Sequence, residues 1–206
     1  MSADTSPIEA RWIEVARDNR DSIRFRVSLA AFRMILDGGL PSTTDIAESL
    51  DMSEDGARAI VHELRDYGRM TLTGDGNHIT GAGGLSLIPS RHAVFIENQQ
   101  FWGWCALDAV GIPAGLSANG LVNSACADTG EVVRIDIDAG RLRSATPDDL
   151  LISLVAPRLD RSLHDSCCSM IGFYRDALMV PGDAEAIRVA DAMELGRDLW
   201  WNGVPL

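Results

Sequence analysis

The chain has no lysine, only four cysteines and no C-x-x-C pair. All 18 of its basic residues are arginine, and the missing lysine is read as codon usage rather than chemistry. Four cysteines in 206 residues are too few for a disulfide framework, and without a C-x-x-C spacing structural zinc is disfavoured. Burial, reactivity or soft-metal binding remain as uses for the thiols. No apolar run approaches the roughly 18 residues of a membrane span, and MSADTSPIEARW lacks the basic and apolar regions of a secretory leader. A cytoplasmic protein with no membrane partner is expected. There is no internal repeat and no low-complexity tract.

What is present is an apolar fraction of 46%, enough to bury one substantial core or a small unit attached to a larger one. Against 18 basic residues stand 30 acidic ones, a formal charge of −12 that repels nucleic acid and anionic membranes unless one face is locally basic.

Apolar residues recur at helical spacing over residues 7–18 (Ile8, Trp12, Val15) and 21–36 (Ile23, Val27, Ala30, Ala31, Met34, Ile35), the second run ending at Gly38-Gly39. In LPSTTDIAESLDMSEDGARAIVHELRDYG, Ser42 or Thr43 is placed to cap one short helix and Ser53 another. Ile46, Ala47, Leu50, Ala57, Ile60, Val61 and Leu64 then face inward. RMTLTGDGNHITGAGG alternates and turns at Asp75-Gly76 like a two-stranded wing, so residues 1–80 read as a winged-helix-like unit. Its second helix carries Glu54, Asp55 and Glu63 against Arg58, a poor surface for phosphates, which argues against nucleic acid as a partner.

From residue 81 to 206 the texture is α+β: an antiparallel-sheet core with short helices. LSLIP and HAVFIEN read as strands, and QQFWGWCALDAVG as a helix opened by Asn98. GLVNSACA and EVVRIDID pair across Asp128-Thr129-Gly130. DLLISLVAP is a buried strand, a short helix begins at residue 160, and DAEAIRVADAMELGRDLWWNGV is helical up to residue 202.

Two features could carry chemistry. On a helix, Cys105 and Asp108 at i and i+3 share a face, so thiol and carboxylate can enter one cavity. Taken alone, a buried cysteine is more commonly a small hydrophobe. Cys167 and Cys168 are adjacent and point different ways, so only one of them is expected to share a site with Cys105. His164 is a base, a ligand or simply a surface histidine, and Cys126 in the hairpin reads as a buried thiol.

WCALD, then SACADTG some twenty residues later, then the CC pair, in that order and near those separations, resembles the organomercurial lyase (alkylmercury lyase) family. The match is strongest over residues 95–135 and in register from 150 onward. The resemblance implies protonolysis of a carbon–mercury bond with no cofactor, mercury being substrate and product. It assigns Cys105 and Cys167 as the mercury-holding thiols and Asp108 as the proton-handling carboxylate. Trp104 then lines the substrate pocket, Cys126 is structural and Cys168 accessory. Implied partners are an organomercurial, cellular thiols and a mercuric reductase that accepts Hg(II). Ser166 and SMIGF depart from the family's pattern around the cysteine pair. A scaffold relative acting on another soft-metal or sulfur substrate, and a metal-responsive winged-helix regulator, are the competing readings.

Two thiolates are the softest ligands a protein offers and capture R–Hg⁺ where carboxylates and water cannot compete. A free thiol is mostly protonated at neutral pH, so binding needs somewhere for the proton to go. A desolvated carboxylate beside Cys105 supplies it and can return the proton to carbon.

Overall fold

The computed structural model describes residues 6–18, 22–158, 162–199 and 201. Helices α1 (Pro7–Asp18), α2 (Ile23–Leu36), α3 (Thr43–Leu50) and α4 (Glu54–Asp66) come first. Ser22 and Ser53 cap α2 and α4, and Ser42 forms a capping box with Asp45 on α3. Val27, Phe32, Ile35, Ile46, Ala57 and Val61 are fully buried between these helices, as their spacing requires.

The chain then builds an eight-stranded sheet from β1 (Met70–Leu72), β2 (Ile79–Ala82), β3 (Leu85–Ser86), β4 (His92–Ile96), β5 (Gln99–Gly103), β6 (Gly120–Ala125), β7 (Val132–Asp138) and β8 (Arg141–Thr146). The order is β1-β2-β3-β5-β4-β6-β7-β8, with every neighbouring pair antiparallel. A smaller antiparallel sheet sets β9 (Leu151–Leu154) between β10 (Phe173–Tyr174) and β11 (Glu185–Arg188). Helices α5 (Ala106–Leu116), α6 (Leu163–Ser166) and α7 (Val189–Asp198) complete the described fold. The class is α+β. One apolar core runs from Val27 and Ile46 through Leu107 and Ile135 to Leu195. No helix among the described residues is long and apolar enough to cross a membrane.

Two expectations change and one unassigned segment gains a structure. Residues 99–103 form strand β5 instead of the first turns of a helix: the chain reverses at Glu97-Asn98, with Glu97 in the left-handed region (φ 50°), and Gln99 pairs back onto Ile96. FWGW suits either period, and its place between β3 and β4 decides. Residues 185–188 are likewise drawn into a strand by β9 before α7 begins. RLRSAT, unassigned from the sequence, is the edge strand β8. Helix α7 ends at Asp198, where Leu199 is extended, short of the expected residue 202, and α6 begins at Leu163 behind its cap Ser162, after the expected start near residue 160; residues 160 and 202 themselves lie outside the described residues.

All eleven residues of α5 are buried, enclosed by the sheet and α7. The two helices touch glycine to glycine: a Cβ on Gly196 would stand 2.4 Å from Gly111 Cα and 2.8 Å from its carbonyl oxygen. Because both obstacles are backbone, Gly196→Ala should cost about 3 kcal/mol and lower the melting temperature by about 10 °C, read from a thermal melt. Beyond α7, the indole Nε1 of the buried Trp201 donates to the Gly83 carbonyl at 2.8 Å, tying the C-terminal segment to the start of β3.

Candidate metal centre

Where β5 leaves the sheet, Cys105 takes an extended conformation (φ −147°, ψ 176°) and becomes the N-cap of α5. Cys105 and Asp108 therefore meet as N-cap and third helical residue, not as two positions on one helical face. The thiol takes the place of the usual N-cap hydroxyl. The Asp108 backbone N–H donates to Cys105 Sγ at 3.5 Å, while the thiol donates to Asp108 Oδ2 at 3.0 Å. The N-terminus of α5 lends partial positive charge to whichever of the two is ionised.

Cys168 completes the group. It opens a 3-10 turn, Cys168–Met170, whose following residue Ile171 accepts from the Ala106 N–H at 3.1 Å, holding the turn against the start of α5. One ligand atom each from Cys105, Asp108 and Cys168 lie within 4.8 Å of one another. All four cysteines are free thiols.

Of the cysteine pair, the structure brings Cys168 and not the expected Cys167 to Cys105 and Asp108. Cys167 is fully buried, but its thiol faces away: it donates to the Ala156 carbonyl at 3.5 Å and accepts from the Arg158 N–H at 3.4 Å. The turn sends successive side chains to opposite sides, so the second cysteine, expected to be accessory, is the one opposite Cys105. Cys126 lies outside the cluster, at the end of β6, where its N–H donates to the Glu131 carbonyl and the chain bridges to Phe173. His164 is half exposed and meets the edge of Trp104, with ring centroids 5.7 Å apart.

Burial governs the electrostatics. Asp108 is only 8% exposed, and desolvation pushes its carboxyl up to about 7 although the Cys105 thiol and the backbone hydrogen bond pull it down. Desolvation raises the Cys105 thiol well above its ordinary value, with Cys168 and Asp108 adding to the rise. A hydrogen bond from Cys105 favours the Cys168 thiolate, but burial and the charges of Asp108 and Cys167 outweigh it and Cys168 also ends raised. Both thiols thus keep their protons until something displaces them, beside a carboxyl group that exchanges its own near neutrality.

The three groups form the floor of a cavity of about 350 Å³. Trp12, Phe25 and Leu64 of the N-terminal helices line it together with Trp104, Leu107 and Trp201. Trp104, expected in a substrate pocket, lines this cavity. Gly84, in the left-handed region (φ 89°), is a wall that the sequence reading passed over: a Cβ there would stand 2.2 Å from Asp108 Oδ1, so only glycine leaves room for the carboxylate. Its carbonyl accepts from the Trp104 N–H at 2.9 Å. The adjacent glycines 83 and 84 were the available signal. Arg69, also on the cavity wall, had none, being a lone arginine before a short strand.

Two thiols and one carboxylate, buried together on an antiparallel α+β scaffold, are a donor set suited to a soft metal ion of the thiolate-binding class. The profile of the alkylmercury lyase (MerB) family matches residues 85–200. The alkylmercury lyase of Staphylococcus epidermidis is 31% identical over 122 residues, covering 56% of this chain and 56% of that protein. That of Streptomyces lividans is 31% identical over 172 residues, covering 80% of this chain and 78% of the other. The chain therefore spans little more than half the length of the first relative and over three quarters of the second. A crystal structure of the mercury-bound form of MerB2 shares the fold, with a TM-score of 0.83 and 20% identity over 94% of this chain and 97% of that one. The chain belongs to the alkylmercury lyase family.

Proposed function

We propose that this protein cleaves carbon–mercury bonds by protonolysis, releasing a hydrocarbon and retaining Hg(II) on Cys105 and Cys168. The observation that carries this reading is the convergence of two thiols and a carboxyl group titrating near 7 on the floor of one largely apolar cavity.

An organomercurial arrives bound to a small thiol, R–Hg–SR′. Cys105 Sγ attacks mercury and passes its proton 3.0 Å to Asp108 Oδ2. Cys168 adds the second sulfur and gives up its proton to the departing R′S⁻. Two sulfur donors raise the electron density on mercury and on the carbon bound to it, and Asp108 delivers its proton to that carbon. R–H and R′SH leave, with Hg(II) held by two thiolates and no change of oxidation state. A carboxyl group near 7 is matched to taking and giving the same proton at neutral pH, and fixing three groups around one atom supplies the orientation. Sulfur ligands and one acid account for the step, so no cofactor enters it.

Trp104 lines the substrate pocket and Cys126 acts as a structural thiol. The helices and hairpin over residues 1–80 are a winged-helix-like unit that serves here as the roof of the cavity instead of a nucleic-acid reader, residues 81–206 being the catalytic unit. Small thiols, and downstream a mercuric reductase, take the metal in the cytoplasm.

The test is single-turnover reaction with phenylmercury, following benzene by gas chromatography and protein-bound mercury by mass spectrometry. One equivalent of benzene per chain, with mercury left on the protein, is expected. Mercury bound without benzene would overturn the lyase reading and favour a relative that only binds soft metals.

A further inference from the structure

Mercury held by two buried thiolates leaves only by exchange with an incoming thiol. Apart from the three floor groups and Tyr67, the charged or titratable side chains lining the cavity are Arg24, Glu63 and Arg69. Arg24 and Glu63 pair with each other at the rim. Arg69 is different: its guanidinium has no hydrogen bond or ion pair among the described residues, although it is half buried. Leaving a charge both partly desolvated and unpaired costs stability unless an anion visits it.

The fold places this cation deliberately near the metal-holding turn. Arg69 follows the corner after α4, where Gly68 adopts φ 64° and packs so closely on Ser162 that a Cβ would stand 2.1 Å from its hydroxyl. The Leu163 N–H donates to the Tyr67 carbonyl at 2.9 Å, fastening that corner to the segment leading into Cys168. Burial lowers the Arg69 guanidinium below its ordinary value, and Cys168, which lines the same cavity, is the ionisable neighbour that opposes the shift.

We propose that Arg69 docks the carboxylate of an incoming anionic thiol, positioning its sulfur to displace mercury from Cys168, a second thiol then displacing it from Cys105. A guanidinium fork matches a carboxylate in two parallel hydrogen bonds and keeps its charge at every working pH. In the exchange, each incoming thiol forms one S–Hg bond as one Cys–Hg bond breaks, and its proton passes to the cysteine released; nothing is oxidised or reduced. The net charge of −12 makes the proposal discriminating. Without a dedicated cation, the surface field slows anionic thiols relative to neutral ones.

This inference rests on the reading that Cys105 and Cys168 hold mercury, and the experiment separates the two. The full-length protein is loaded directly with Hg(II), and metal release is followed through the sulfur-to-mercury ultraviolet absorbance. The probes are 3-mercaptopropionate and 2-mercaptoethanol at equal thiolate concentration. Loading that fails, or that leaves Cys105 and Cys168 open to alkylation, overturns the site reading. With loading intact, the wild type should favour 3-mercaptopropionate, and Arg69→Gln should reduce the ratio of the two rates roughly tenfold or more, as expected for a charged hydrogen bond. Arg69→Lys should keep part of it. Because the readout is a ratio within one protein, a general loss of stability does not imitate the effect. Equal ratios in wild type and Arg69→Gln overturn the proposal. So does a defect confined to turnover of 4-carboxyphenylmercury, which would give the arginine to the substrate's carboxylate instead.

Discussion

Cys168→Ser should lower benzene release from phenylmercury by at least about a thousandfold, the equivalent of about 4 kcal/mol at the transition state, whereas Cys167→Ser should keep turnover within a few-fold. The contrast follows from where the two sulfurs point. Cys168 Sγ shares a 4.8 Å cluster with Cys105 and Asp108, and without it mercury has one sulfur donor and too little electron density on carbon to accept a proton. Cys167 Sγ is occupied with Ala156 and Arg158 in the connection after β9. Its replacement disturbs a fully buried site, with a cost of about 1 to 3 kcal/mol in stability. Activity per folded chain is therefore the quantity to compare, with thermal melts run in parallel. An inactive Cys167→Ser beside an active Cys168→Ser would reverse the assignment.

Asp108→Asn should separate binding from chemistry and shift the pH dependence of stability. The variant should still take up mercury through its two thiols but yield little hydrocarbon, since an amide neither accepts the thiol proton nor donates one to carbon. Its effect on stability runs the other way. The Asp108 carboxyl is raised by burial to about 7 in the folded protein, against about 4 in an unfolded chain. Between those values the folded state holds a proton that the unfolded state has lost. The Asp108 contribution is therefore fully present below pH 4, is lost as pH rises toward 7, and leaves the whole cost in place above 7. Three pH units correspond to about 4 kcal/mol, so Asp108→Asn should be more stable than wild type by up to that amount at pH 8 and nearly equal to it at pH 4. Denaturant titrations at the two pH values measure it. A constant difference would mean that Asp108 is not buried in its charged form. Such a gain upon removing a buried ionisable group is characteristic of sites held against the interest of folding.

The path from β5 to α5 shows why the sequence brought Cys105 and Asp108 together but not the geometry of their contact, nor the cysteine of the pair that joins them. Cys105 and Asp108 were identified together, and they do meet, yet by N-cap and third-residue contact after a strand, not on the face of a helix. The three-residue spacing suffices for both, and local pattern alone does not choose between them. Gly84 and Arg69 were not identified because their roles exist only across space. One yields room to a carboxylate 24 positions away, and the other reaches a cavity whose floor comes from α5 and the turn at Cys168.

The residues alone determined the apolar stripes of α2–α4 and their serine caps, the hairpin turning at Asp128-Thr129-Gly130, the pairing of Cys105 with Asp108, and the family resemblance. Each is local, set by helical or strand periodicity, by turn chemistry or by a short motif. Tertiary structure decided the strand at 99–103, the strand at 185–188, and which of two adjacent cysteines faces the metal site. Strand pairing and burial supply the deciding free energy there, and both depend on partners distant in the chain: β9 for residues 185–188, and the Ala106–Ile171 hydrogen bond for Cys168.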